Sequence, residues 1–331
     1  MKKILYIVAS TFILWGCSSA PSVETDSIKV IESPNGKLKM TFLLTSDGRP
    51  QYLLDYENKP VILQSNLGFE LRGVLKSQKI NYHNDGTITK SDREPCNSLY
   101  DGFSIESVDT ISVDETWKPV WGEEEIIRNN YNELLVNMVQ FSTGRKMAIR
   151  FRIFNDGLGF RYEFPYQKDL SYFVIKEEIT EFSLTGDHTA WWIPGDYDTQ
   201  EYNYTESRLS EINSKFREAV WGNDSQTPFS INGVQTSLQM KTDEGLYINI
   251  HEAALIDYPC MHLDLDPKTF TFVAHLTPDA QGWKGRMQTP CHTPWRTIQV
   301  ASSATEQLAS RLILNLNDPC AIEDTDWIKP V

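Results

Sequence analysis

The chain has 331 residues, with 31 Lys and Arg against 45 Asp and Glu, and so a formal net charge of −14. At 40% hydrophobic and 23% charged, it has enough apolar side chains for a sizeable core and is not a disordered acidic tail. A field of that sign repels nucleic acid, and no long Lys/Arg block offsets it, which argues against any partner bound by phosphate neutralisation.

At the N-terminus, Met1-Lys2-Lys3 is a short basic region, and Ile4 to Trp15 is an almost uninterrupted apolar run of export-signal length. Leu14-Trp15-Gly16-Cys17-Ser18-Ser19 follows and resembles a bacterial lipobox, although the bulky Trp15 fits it imperfectly. The expectation is a lipoprotein-type signal over residues 1–17, acylation at Cys17 and a flexible polar tether over 18–27. Cleavage by an ordinary signal peptidase is the alternative. The location expected is that of an exported protein, a periplasmic or outer-membrane lipoprotein of a Gram-negative bacterium, held to the membrane only through its lipid. The other cysteines, Cys96, Cys260, Cys291 and Cys320, are even in number and allow three pairings, but no CxxC occurs and scattered buried thiols are expected.

From about Ile28 the apolar residues recur with period two, as strands that bury one face require. Leu38, Met40, Phe42 and Leu44, the Asp47-Gly48 turn, and Tyr52, Leu54 and Tyr56 spell a hairpin. A second runs through Met147, Ile149, Phe151 and Ile153, turns at Asn155-Asp156-Gly157, and returns through Leu158, Phe160, Tyr162 and Phe164. The alternation comes back at Leu246, Ile248 and Ile250, at Phe270, Phe272 and Ala274, and at Leu312, Leu314 and Leu316, while only Leu209 to Ala219 looks helical. The pattern predicts an all-β fold, a large antiparallel two-sheet β-sandwich with few short helices, in a single domain over 28–326.

Self-contained catalytic signatures are missing: there is no GxSxG, HExxH, P-loop or strand-helix GxGxxG. The six histidines are dispersed. His251-Glu252 reads as a surface or neighbouring pair, and Glu123-Glu124-Glu125 as a solvated run ahead of a strand at Leu134 to Val139. The densest patch of unusual residues is Trp191-Trp192-Ile193-Pro194-Gly195-Asp196-Tyr197-Asp198, continuing to Glu201, Tyr202 and Tyr204. Adjacent tryptophans of an extended segment face opposite sides, and carboxylates on the following loop stand beside aromatic rings, which suits a sugar. A Trp-rich edge of the core with a polar loop is the plainer reading. Carboxylates on a loop also suit Ca²⁺, though Asp196, Asp198 and Glu201 lack EF-hand spacing.

That run, together with Ile248 to Pro259, Thr293-Pro294-Trp295-Arg296 and the closing Leu314 to Asn317 and Asp326 to Pro330, resembles the N-terminal region of glycoside hydrolase family 97. The resemblance implies a β-sandwich of the super-sandwich type from an exported α-glucosidase or α-galactosidase, packed on a catalytic (β/α)₈ barrel in cis or trans. It also implies α-linked oligosaccharides as substrates. The acid and base of such enzymes lie in the barrel, so no catalytic residue is expected in this chain, and residues 327–331 would begin the linker to an absent barrel. Calcium is implied only with the barrel present, with Glu201 contributing one carboxylate. Trp191, Trp192, Asp196, Asp198, Trp295 and Arg296 are the candidates for substrate contact or barrel interface, and with Trp327 the tryptophans are expected to form an exposed apolar patch. A stand-alone carbohydrate-binding lipoprotein without hydrolase activity is the alternative.

Overall fold

The computed structural model describes residues 27–73, 78–92, 97–223 and 226–329, so Cys17, its export signal, most of the tether, Cys96 and the last two residues lie outside the described residues. Strands are numbered along the chain, and every strand pair is antiparallel. One sheet has eight strands, in the order β1 (Ile28–Glu32), β2 (Leu38–Leu44), β3 (Pro50–Tyr56), β4 (Lys59–Asn66), β14 (Glu181–Leu184), β21 (Thr271–Leu276), β20 (Met261–Asp266) and β17 (Gly233–Gln235). The facing sheet runs β16 (Thr205–Arg208), β15 (Thr189–Trp192), β18 (Leu238–Lys241), β19 (Tyr247–Ala253), β24 (Trp295–Ala301), β12 (Gly157–Phe164), β11 (Lys146–Phe154), β10 (Ile127–Gln140) and β9 (Phe103–Trp117). A short β23 (Cys291–His292) pairs with β12 in addition. A smaller sheet of β22 (Gly285–Gln288), β13 (Tyr172–Glu178), β5 (Phe69–Leu71) and β8 (Ser98–Leu99), and a hairpin of β6 (Gln78–Tyr82) and β7 (Ile88–Asp92), complete the strands.

Both hairpins read from the sequence are present: β2 pairs with β3 from Leu38↔Tyr56 to Leu44↔Pro50, and β11 with β12 from Ala148↔Glu163 to Phe154↔Gly157. Strict alternation sends Phe42, Tyr52, Phe151, Phe160 and Phe182 into the space between the sheets, where all five are fully buried. Their rings meet across the layers, Phe42 on Phe151 at 6.0 Å, Tyr52 on Phe160 at 5.0 Å and Phe160 on Phe182 at 6.3 Å between centroids. Aromatic contacts of this kind join the two sheets into one core.

The helical expectation at Leu209 to Ala219 is met by a short 3₁₀ turn and by α1 (Ile212–Ala219), whose Ile212 and Phe216 are buried one turn apart. The strand expectation at Leu312, Leu314 and Leu316 is corrected: after α2 (Ala304–Leu308), that segment is α3 (Leu312–Leu316). Leu312 and Leu316, four apart, are buried, while Leu314 is 47% exposed. Helical spacing thus separates what a strand would place on one face. α3 lies on the outer face of the larger sheet, where Leu312 and Leu316 join Tyr131, Phe154 and Trp295 in a second small core. Leu316 sits directly over Gly159, where an added Cβ would come within 2.5 Å of its Cδ1. β9 forms the far edge of the same sheet, long and mostly exposed on both faces.

Candidate functional site

β15 ends at Trp192, and the chain leaves the sheet over residues 193–204 before returning as β16, so Asp196, Asp198 and Glu201 share one loop. The two tryptophans face opposite ways, as extended neighbours must. Trp192 is fully buried and donates its indole N–H to Ser207 Oγ at 2.9 Å; Trp191 is half-buried and donates to Glu206 Oε2 at 3.0 Å.

Asp196 is only 2% exposed and fastens the loop. Its Oδ1 accepts from the Asp198 N–H at 2.9 Å, the Thr199 N–H at 3.2 Å and Thr227 Oγ1 at 2.8 Å. Its Oδ2 accepts from Tyr202 OH at 2.8 Å and the Thr227 N–H at 2.6 Å. Burial alone would raise this carboxyl's pKa, but the donors from Asp198, Tyr202 and Thr227 outweigh it and hold the pKa below the usual carboxylate value. The Asp196 carbonyl oxygen in turn takes Gln235 Nε2 at 2.8 Å and His262 Nε2 at 2.9 Å. A carboxylate so committed is a fastener, not a free ligand. Asp198 and Glu201, in contrast, are exposed on the rim of the fastened loop.

Beneath the loop, Tyr197 OH lies 2.7 Å from His275 Nε2, and Phe229 stacks on the His275 ring at 4.0 Å. Lys284 Nζ, almost wholly buried, is 3.2 Å from the same nitrogen and donates to the Leu276 carbonyl at 2.8 Å. Burial, then the neighbouring Lys284 and His262, pull the His275 pKa down to about 3. This neutral imidazole supports Tyr197 from below.

Trp295 and Arg296 are in a different place from the loop. Trp295 is 1% exposed under α3, with the guanidinium groups of Arg152 and Arg161 against its ring at 4.9 and 4.6 Å. Arg296 is fully buried, donating Nε and Nη2 to the two oxygens of Glu178 at 2.9 and 2.7 Å and Nη1 to Glu252 Oε2 at 2.6 Å. Glu252, expected at a surface, accepts from the Met261 N–H at 3.0 Å with its other oxygen, and Tyr258 OH donates to Glu178 at 3.0 Å. Burial works against the charge on Arg296, yet the two carboxylates raise its pKa further above the ordinary arginine value. The expected patch of four exposed tryptophans is therefore corrected: Trp192 and Trp295 belong to interior packing, Trp191 is half-buried and Trp327 is 69% exposed. Buried positions also hold Asp196 and Arg296, because each is surrounded by enough partners to satisfy it.

The structure brings Trp191, Trp192, Asp196, Asp198 and Glu201 into one region and leaves Trp295 and Arg296 in another. Thr227, Gln235 and His262, which complete the cage around Asp196, were not singled out from the sequence. The turn Asp196 makes with Asp198 and Thr199 is a local Asx pattern and readable in principle; Thr227 comes from the loop ahead of β17, and Gln235 and His262 from β17 and β20, all distant along the chain. Among the described residues no cluster of three or more His, Cys, Asp or Glu could hold a metal. Cys260, Cys291 and Cys320 are free thiols, and burial raises the Cys291 pKa to about 11.

A curated relative found by sequence, a retaining alpha-galactosidase of Bacteroides thetaiotaomicron, is 24% identical over 360 aligned positions, covering all of this chain and 46% of its own length. A glycoside hydrolase family 97 enzyme from Pseudoalteromonas sp. strain K8, solved with acarbose, superposes with a TM-score of 0.73 at 31% identity, over 91% of this chain and 40% of that one. A single-substitution variant of a family 97 enzyme from the same strain has been solved with panose. A beta-arabinopyranosidase, at 17% identity and a TM-score of 0.63 over 83% of this chain and 40% of its own, shares the fold. The chain thus spans less than half the length of these relatives. The family described as Glycosyl-hydrolase 97 N-terminal matches residues 31–319, and with the sandwich already in view, the chain belongs to that family.

Proposed function

We propose that this sandwich is the N-terminal portion of an exported α-glycosidase that acts on α-linked oligosaccharides. In this reading it supports a catalytic (β/α)₈ barrel and lends the Glu201 carboxylate to a calcium ion that the barrel also binds. The observation that carries the reading is the form of the loop: Asp196 is consumed in holding it, while Glu201 stands exposed on its rim. Ca²⁺ requires six to eight oxygen ligands, and the two exposed carboxylates of this loop, Asp198 and Glu201, fall short of that number, which fits a contribution to a shared site better than a site of their own. Bound calcium would supply positive charge beside the reacting sugar; the part played by this chain is to keep Glu201 on a loop that does not wander.

Glycoside hydrolysis needs two carboxyl groups at a set separation across the scissile bond, and the buried carboxylates among the described residues are already engaged: Glu178 and Glu252 with Arg296, Glu133 with Arg150 and Arg152, and Asp196 with the donors around its loop. The chain by itself is expected to leave nitrophenyl α-glucosides and α-galactosides uncleaved. Calcium titrated into the chain mixed with a family 97 barrel should bind about tenfold or more weakly when Glu201→Gln is used, and an unchanged affinity removes the calcium role. Export with a lipid on Cys17 forms part of the proposal and rests on the lipobox-like sequence. Cell fractionation should find Cys17→Ser released from membranes, and a variant that stays membrane-bound would remove the anchor.

A further inference from the structure

On the outer face of the larger sheet, five strands line up one side chain each. Glu206, Trp191, Gln239, Asn249 and Gln299 are successive register partners across β16, β15, β18, β19 and β24. Trp191, Gln239, Asn249 and Gln299 are each half-buried between two buried neighbours, and Glu206 is exposed, so the row lies opposite the core. At about 4.8 Å between strands, the row is about 19 Å long. In the next row away from the Glu201 loop, Lys241 faces Tyr247, with Nζ 5.1 Å from the ring centroid. Strand geometry places the Trp191 and Tyr247 backbones about 12 Å apart.

The side chains are held in place but not used up. Glu206 Oε2 accepts from the Trp191 indole, Asn249 Nδ2 donates to Gln239 Oε1 at 3.2 Å, and Gln307 Nε2 donates to Gln299 Oε1 at 2.6 Å. Glu206 Oε1, Asn249 Oδ1 and Gln299 Nε2 keep their capacity to bond a ligand. The next outward pair towards the loop is His251 and Thr297, whose Nδ1 and Oγ1 are buried with no partner. Trp192 and Thr205 are the last register pair before residues 193–204, and Trp191 and Glu206 the pair before it, so the row borders the base of the Glu201 loop.

This composition discriminates between ligands. None of the large exposed apolar side chains belongs to the row, which disfavours a dry protein contact. An anion would meet Glu206. A neutral, hydroxyl-rich chain would find aromatic faces for its C–H surfaces and amides and a carboxylate for its hydroxyls. The geometry points to an oligosaccharide-binding surface on β16, β15, β18 and β19, with Trp191 as its main stacking platform, that leads a sugar chain towards the Glu201 loop. The choice of sugar rests on the glycosidase reading above; the surface itself does not depend on calcium.

Maltoheptaose and raffinose, titrated into the full chain by calorimetry and tryptophan fluorescence, are the test. Wild type should bind at least one of them saturably. Trp191→Ala should weaken that binding about tenfold or more and Asn249→Ala about threefold or more, as lost stacking and a lost hydrogen bond imply. Trp191→Phe should restore part of the affinity, and Trp121→Ala, on the loop between β9 and β10, should bind as wild type. Unchanged circular dichroism keeps these losses separate from unfolding. No saturable binding of either sugar, or wild-type affinity in Trp191→Ala, overturns the proposal. Binding that depends on Trp191 while Glu201→Gln leaves calcium affinity intact would keep this surface and remove the calcium role, so the two readings fail separately.

Discussion

Arg296 lies wholly buried between Glu178 and Glu252, and removing the arginine leaves two carboxylates in the interior without their cation. Arg296→Ala should cost about 3–5 kcal/mol, the range for breaking a buried pair from one side, read as a lowered urea midpoint with an unchanged slope. Replacing all three with apolar residues of similar size should recover much of that loss, because the desolvation cost of the charges disappears with them. Thr293-Pro294-Trp295-Arg296 stands out in the sequence, yet its depth does not. The partners of Arg296 sit 118 and 44 residues away, and an arginine beside a tryptophan reads equally well as a surface feature. Asp196 shows the same limit: its turn with Asp198 is local, but Thr227 and Gln235 come from 31 and 39 residues further on.

Helix α3 is decided by what lies beneath it. Gly157 and Gly159 on β12 leave a trough in the outer face of the sheet, and Leu312 and Leu316 fill it. A methyl at position 157 would strike the carbonyl oxygen of Ile298 on the paired strand, which is backbone and cannot swing aside. Gly157→Ala should therefore be more destabilising than Gly159→Ala, whose obstacle is the movable end of Leu316; thermal melts of the two variants check the order. Leu316→Ala should cost about 2–5 kcal/mol, as for other buried leucines. The hairpins at β2–β3 and β11–β12 were legible because every second residue is apolar over seven positions, from Leu38 to Leu44, from Met147 to Ile153 and from Leu158 to Phe164, with turn residues between the strands. Leu312 to Leu316 was not, since five residues satisfy a strand and a helix equally and only the glycine trough decides between them.

For the molecule as a whole, His188, His251, His262 and His275 all have lowered pKa values, with burial the leading cause in each. An imidazole kept neutral by folding contributes its full stability above its unfolded pKa of about 6.5 and loses it as the pH falls below that value. For His275 the loss continues down towards pH 3. Urea midpoints should thus decrease from pH 7.5 to pH 5, and His275→Gln should flatten the decrease. The fold class followed from periodicity, whereas strand order did not, because β14, β17, β20 and β21 join β1 to β4 only through pairings remote in sequence. In the larger sheet, β9 has a neighbour on one side only among the described residues. Over its 15 residues it carries Glu106, Asp109, Asp114 and Glu115 and no basic side chain. An open strand edge invites a second copy to continue the ladder. Glu106 and Asp114 are paired with Lys146 of β11 and Arg128 of β10, but Asp109 and Glu115 form no ion pair among the described residues, so two such edges would bring four uncompensated carboxylates together, and mutual repulsion guards the edge in dilute buffer. Concentrated salt or mild acid weakens that guard, and under those conditions the protein should first begin to associate along β9.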